Sequence, residues 1–142
     1  MAKRPDNLVT FQQLAKYQQH HPPRKQPDDE EHRIQVACFN WFSVQYPKFR
    51  GLLYHVANGG WRNKVVAAKL KAGGVVPGVA DLILDIARGG YHGLRIELKT
   101  AKGKQSPVQR DWQRLEEAHG YKYIICRSLE EFQSEVSAYL VL

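Results

Sequence analysis

Between Leu94 and Cys126 the hydrophobic pattern changes period twice, and this change restricts the possible folds more than any other feature of the chain. "LRIELKT" (Leu94–Thr100) alternates apolar and charged residues, the period of two that belongs to a strand. From Ser106 the period becomes helical. Ser106 fits an N-cap, Pro107 the N1 position and Gln109 the N3 position of a capping box, and Val108, Trp112 and Leu115 form the apolar stripe up to Gly120. "YKYIIC" (Tyr121–Cys126) returns to a strand. A strand, helix, strand unit predicts a right-handed crossover between parallel strands, hence an α/β fold.

The rest of the chain extends this unit. Over 28–46 the apolar positions Ile34, Ala37, Cys38, Trp41 and Val44 recur at helical spacing, behind an acidic first turn of Asp28, Asp29, Glu30 and Glu31 that suits the helix dipole. "LLYHVA" (Leu52–Ala57) is a predicted strand, closed by Asn58, Gly59 and Gly60, and "WRNKVVAAKLKA" is a short basic helix stopped by Gly73 and Gly74. A turn at Pro77 and Gly78 leads to a strand over 80–87, and the short loop "RGGYHG" makes it an antiparallel hairpin with the Leu94 strand. A last helix begins at a Ser128–Glu131 capping box, with Leu129, Phe132, Val136 and Leu140 on one face. The order predicts a mixed sheet flanked by helices.

The chain has 142 residues, 43% of them hydrophobic, enough for one core and too few for two domains. Residues 1–27, rich in Gln, Lys, His and Pro, form a partly flexible N-terminal arm in which Leu8, Phe11 and Leu14 are spaced as one helical stripe; residues 28–142 form the domain. The net charge of +7 favours an anionic partner, nucleic acid or a membrane surface. No apolar run reaches the roughly 20 residues of a membrane span, and "MAKRPDNLVT" lacks the apolar stretch of a secretory signal, so a soluble cytoplasmic protein is expected. The two cysteines sit in apolar contexts, as buried thiols do, and the six histidines lack zinc-site spacing.

On the Leu94 strand, Arg95, Glu97 and Lys99 share one face, and a solvated strand face would carry the same pattern. Asp81 changes the reading. It opens the preceding strand directly after the Pro77–Gly78 turn, and the hairpin brings Glu97 near it on the same face. Two such carboxylates make the hard oxygen site that Mg²⁺ prefers, with positions left for water and phosphate. Lys99, on the same face as Glu97, is placed to hold an attacking water or offset charge in the transition state. Asp85, four residues beyond Asp81, is a reserve ligand. His55 and Asn58 are too close in sequence for a ββα-metal site, which leaves His55 as a strand residue near the carboxylates. Arg62, Lys64, Lys69, Lys71, Lys102 and Lys104 suit a DNA backbone or a solvated basic face, and Trp61 either packs or stacks on a base.

"PGVAD", fifteen intervening residues and "ELK" resemble the PD-(D/E)xK nuclease signature, and the element order resembles that superfamily's restriction-endonuclease-like αβββαβ core with one helix inserted after the first strand. The chain more closely resembles the VRR-NUC family of nuclease domains. The matches are Glu31 and Gln35, "NGG" from Asn58 to Gly60, Gly74 to Leu82, Ile96 to Lys99, and Ser106 to Trp112. It departs from the family where Ile96 replaces a valine and Ala80 a proline.

The resemblance implies metal-dependent hydrolysis of DNA. Asp81, Glu97 and the Leu98 backbone carbonyl would ligate Mg²⁺, with Mn²⁺ as a substitute, and Lys99 would orient the water. Glu31 would reach the metal through water, with Glu30 as its rival, and Gln109 would lie beside the site unless the capping box claims it. Asn58, Gly59, Arg62, Lys64, Lys102 and Lys104 would face nucleic acid. Stand-alone members look like bacteriophage or bacterial enzymes, and the resemblance suggests a homodimer acting on branched DNA such as four-way (Holliday) junctions, with no membrane partner. Flap, single-strand or duplex cleavage and an inactive DNA-binding module are the alternatives.

Overall fold

The computed structural model describes residues 29–57 and 64–142, so the N-terminal arm and Asn58, Gly59, Trp61 and Arg62 lie outside the described residues. The elements are α1 (Glu30–Gln45), a 3₁₀ turn (Pro47–Phe49), β1 (Leu53–His55), α2 (Lys64–Ala72), β2 (Leu82–Leu84), β3 (Leu94–Leu98), α3 (Pro107–Ala118), β4 (Lys122–Cys126) and α4 (Leu129–Leu140). The four strands lie in the order β1-β2-β3-β4. β1 with β2 and β2 with β3 are antiparallel, and β3 with β4 is parallel, as the hairpin and the crossover require. This mixed sheet with flanking helices is a restriction-endonuclease-like fold.

The strands expected over 52–57 and 80–87 are shorter than their apolar runs. β1 and β2 pair only from Leu53↔Leu84 to His55↔Leu82. Farther along, the Ile86 carbonyl accepts the Tyr139 hydroxyl at 2.6 Å, which ties this stretch to α4.

One face of the sheet carries the main core. Leu82, Leu84, Leu94, Ile96, Leu98 and Cys126 meet Cys38 and Phe42 of α1 and Phe132, Val136 and Tyr139 of α4. The two cysteines are free, buried thiols, each pushed up to about 12 by burial. Val44, expected in the α1 stripe, is exposed instead; two residues past the buried Phe42 it lies about 200° round the helix. Glu131 also departs from expectation. The Ser128 hydroxyl accepts from the Glu131 N–H at 3.1 Å, but the Glu131 carboxylate accepts from Arg127 N–H at 2.6 Å, so the box closes one residue upstream.

α3 covers the opposite face, over a smaller core of Ala80, Ile83 and Tyr123 joined by Trp112 and Ile125. Its expected stripe is only partly right. Val108 and Leu115 are exposed, while Gln109, Trp112, Gln113 and Glu116 are half-buried at helical spacing. No described helix is long and apolar enough to cross a membrane.

The turn before β2 is locked to α3. Gly78 has φ of 83°, and a Cβ there would lie 2.6 Å from the Val108 carbonyl oxygen, a backbone atom that cannot swing aside. Left-handed backbone costs an ordinary residue about 1–2 kcal/mol before any clash. Gly78→Ala is therefore expected to destabilise the fold by about 2 kcal/mol or more. Urea melts of both proteins measure this, and an unchanged midpoint contradicts the close approach.

Candidate active site

The face of β3 that carries Arg95, Glu97 and Lys99 is not wet. Their exposures are 8%, 1% and 8%, because α3 lies across them. Burying three ionised side chains is tolerable only when each finds partners, and each does. The Arg95 guanidinium donates from Nε to Glu116 at 2.7 Å and from Nη1 to Asp85 at 3.2 Å, and lies 3.9 Å from the centre of the Tyr121 ring. That pairing gives the Asp85 carboxylate a partner of its own. Asp85 also accepts the Tyr54 hydroxyl at 2.8 Å, so it acts as a counter-charge to Arg95.

Asp81 and Glu97 come together as the hairpin predicts. β2 and β3 pair Leu82 with Ile96, and one further step along the same register sets Asp81 opposite Glu97. Asp81 Oδ2 accepts from the Leu98 N–H at 2.8 Å. Its main-chain oxygen accepts from Val56 N–H at 3.2 Å and lies 2.7 Å from His55 Nδ1, which must carry a proton to bond a carbonyl. His55 is thus a strand residue beside the site, holding the Asp81 backbone.

Glu97 is gripped by three donors. Gln109 Nε2 donates to Oε1 at 2.7 Å, Lys99 Nζ lies 3.1 Å from the same oxygen, and the Tyr123 hydroxyl donates to Oε2 at 3.1 Å. Gln109 serves the helix cap and reaches Glu97 at once. Its amide oxygen accepts from Ser106 N–H at 2.8 Å and the Ser106 hydroxyl accepts from Gln109 N–H at 3.2 Å, completing the capping box, while the amide nitrogen turns inward to Glu97.

Electrostatics follow from this packing. Burial, then the charge of Asp81, pushes Glu97 up to about 7, against the lowering effects of Lys99 and Tyr123. Burial also raises Asp81, opposed by the Leu98 N–H and Lys99 and assisted by the charge of Glu31. Glu31, half-buried in the first turn of α1, is therefore within electrostatic reach of Asp81. It does not complete a compact ligand cluster: among the described residues no group of three or more His, Cys, Asp or Glu could hold an ion. Two buried carboxylates, both raised by burial and Glu97 further by the charge of Asp81, suit Mg²⁺, which binds through one or two carboxylates and keeps several waters.

Among the described residues, the lysines expected to face nucleic acid are at the surface. Lys102 and Lys104 are exposed in the loop between β3 and α3, and Lys64 is exposed on α2, which buries none of its residues. Sequence reading missed Arg95 and Tyr123. The alternation of "YKYIIC" already sets Tyr121 and Tyr123 on one face, and the parallel register Arg95↔Tyr123 turns that face toward Glu97.

The raised Glu97 ties stability to pH. Its ordinary value is 4.5 and its folded value about 7, so the folded protein holds the proton more tightly between them. The contribution is complete below about 4.5 and is lost as pH rises through about 7. Thermal melts in EDTA from pH 4 to 8 should show a wild-type midpoint that declines across this window relative to Glu97→Gln. Parallel curves for the two proteins contradict the assignment.

Among solved structures, the chain is similar to a VRR_NUC domain protein, with a TM-score of 0.68 and 33% sequence identity over 80% of this chain and 89% of that one. No protein-family model matches the chain, and no curated protein matches it. At that identity and coverage the likeness carries more than a shared fold: the chain belongs to the VRR-NUC family of nuclease domains.

Proposed function

We propose that this nuclease domain hydrolyses DNA phosphodiester bonds with a bound divalent cation, Mg²⁺ or in its place Mn²⁺. The observation that carries the reading is the pairing of Asp81 with Glu97 across the hairpin, with Lys99 Nζ 3.1 Å from Glu97. Such a pair has little use for a protein that merely binds DNA, because carboxylates repel phosphate unless a cation stands between them.

Asp81, Glu97 and the Leu98 carbonyl are the proposed ligands, with Glu31 bonding a water of the ion's shell. When bound, the cation supplies Lewis-acid polarisation of the phosphate and lowers the pKa of water. Lys99 orients the attacking water and offsets the growing negative charge. Gln109 fixes the Glu97 carboxylate through its amide nitrogen while its oxygen stays in the helix cap. Lys64, Lys102, Lys104 and Arg62 neutralise backbone phosphates and make binding salt-dependent, with Asn58 and Gly59 facing the nucleic acid beside them.

The substrate in this reading is branched DNA, the four-way junction first, cut by a homodimer in a bacterial or phage-infected cytoplasm. A two-fold dimer presents two sites to two strands, which suits symmetric cleavage. Support comes from the resemblance to stand-alone VRR-NUC enzymes and from the net charge of +7.

Labelled single strand, duplex, flap and four-way junction, incubated with Mg²⁺, Mn²⁺ or EDTA, test the proposal directly. Metal-dependent cutting with the junction cut fastest is expected; binding without cutting in either metal would leave a DNA-binding module. Glu97→Ala should lower cleavage by about a thousandfold or more while the protein still folds and binds DNA. Lys99→Ala should slow turnover on the order of 10²–10³-fold with little change in the Mg²⁺ concentration giving half the maximal rate. A Lys99→Ala protein whose rate recovers at high Mg²⁺ has lost metal binding instead, which contradicts the role given to the lysine.

A further inference from the structure

We propose that Gln105 and Tyr123 form a hydrogen-bonded tether through which the basic loop after Lys99 sets the position of the Glu97 carboxylate. The inference rests on the reading of Glu97 as a metal ligand and assigns two positioning residues to that site.

Tyr123 is buried on β4, with its ring edge-on to Trp112 at 6.2 Å. Its register partner is Arg95, two residues from Glu97 on the same strand face, so the phenol lies alongside the carboxylate. The hydroxyl has one proton, and the carboxylate accepts it at 3.1 Å. The hydroxyl oxygen in turn accepts from Gln105 Nε2 at 3.3 Å, and the same amide donates to Gln113 Oε1 at 2.9 Å. Both amide protons of Gln105 are committed, and the chain runs in one direction, Gln105 to Tyr123 to Glu97. Each link polarises the next toward the carboxylate.

The loop at the other end of the tether is itself held. Arg127 Nη1 donates to the Thr100 carbonyl at 2.6 Å and the Gly103 carbonyl at 2.7 Å, and Arg110 Nη1 donates to the Gln105 carbonyl at 2.8 Å. Gly103 folds back on the catalytic lysine: a Cβ there would lie 3.0 Å from Thr100 Oγ1 and 3.4 Å from Lys99 Cδ. One loop therefore touches both halves of the site, Lys99 through Gly103 and Glu97 through Gln105 and Tyr123. Its exposed Lys102 and Lys104 are the residues proposed to meet phosphate.

Ring packing alone is the competing explanation for Tyr123, and Tyr123→Phe separates the two because it keeps the ring and removes the hydroxyl. Mn²⁺ is titrated calorimetrically into the full chain without DNA, for the wild type, Tyr123→Phe, Gln105→Ala and the double variant, alongside thermal melts. Outer partners of metal ligands are worth about 10- to 100-fold in metal affinity or activity, so Tyr123→Phe should weaken Mn²⁺ binding by about 10-fold or more while the protein still unfolds in one cooperative transition. Gln105→Ala should weaken it less, and the double variant should be no worse than Tyr123→Phe alone, because Gln105 acts through Tyr123. Cleavage by Tyr123→Phe should recover at high Mg²⁺.

Unchanged Mn²⁺ affinity in Tyr123→Phe overturns the tether, as does a double variant whose losses add. If the wild type cleaves DNA and Tyr123→Phe binds Mn²⁺ normally, the tether fails and the nuclease reading stands. If Mn²⁺ binds with the ordered losses but no DNA is cut, the tether stands and the nuclease reading fails. A wild type that binds no Mn²⁺ overturns the tether along with the ligand assignment.

Discussion

The fold is organised around the burial of Glu97. A carboxylate with 1% exposure costs several kcal/mol in lost hydration unless donors replace the water, and this chain replaces it from three elements: Lys99 just beyond β3, Gln109 from α3 and Tyr123 from β4. The crossover helix is what makes the burial possible. α3 must cross the sheet to connect two parallel strands, and its crossing closes the polar face of β3 from water.

That geometry explains why α3 turns amides and a carboxylate inward. Its inner row of Gln109, Trp112, Gln113 and Glu116 opposes Glu97, Tyr123, Gln105 and Arg95 in turn. An apolar row in the same place would cost Glu97 and Arg95 one partner each, whereas Val108 and Leu115 lose little by standing in solvent. The helix start is equally constrained, because one Gln109 side chain caps the helix and reaches Glu97. Moving the helix by a single residue would break both bonds. Gly78 reinforces the placement by packing the turn before Asp81 against Val108.

Most of the architecture was legible because its signals are local. The switch between strand and helix periods foretold the β3, α3, β4 unit, the Pro77–Gly78 turn foretold the start of β2, and the Asp81 to Glu97 hairpin followed from a short loop. What stayed hidden depended on which layer lay over which face. Alternation in "LRIELKT" distinguishes two sides of a strand but says nothing of whether a helix covers the polar one, so a solvated face and a buried site look alike. The partner of Asp85 stayed hidden for the same reason: its pairing with Arg95 was invisible until the sheet and Tyr121 were in place. Gln109 was posed as a choice between cap and site because sequence spacing treats a side chain as one group, while its amide has two ends with opposite hydrogen-bonding character.

The remaining question is why a protein would keep such a centre. Asp81 and Glu97 bring two negative charges and Lys99 one positive charge, which leaves the centre one charge short of balance when both acids are ionised. A proton on Glu97 balances it at low pH, and rising pH removes that remedy near about 7. Arg95 offers no help, since Asp85 and Glu116 already occupy its guanidinium. A divalent cation is the natural replacement for the departing proton, and phosphate oxygens are natural partners for the excess positive charge it would bring. On the proposed reading, that imbalance is what a cation and a phosphate would together relieve.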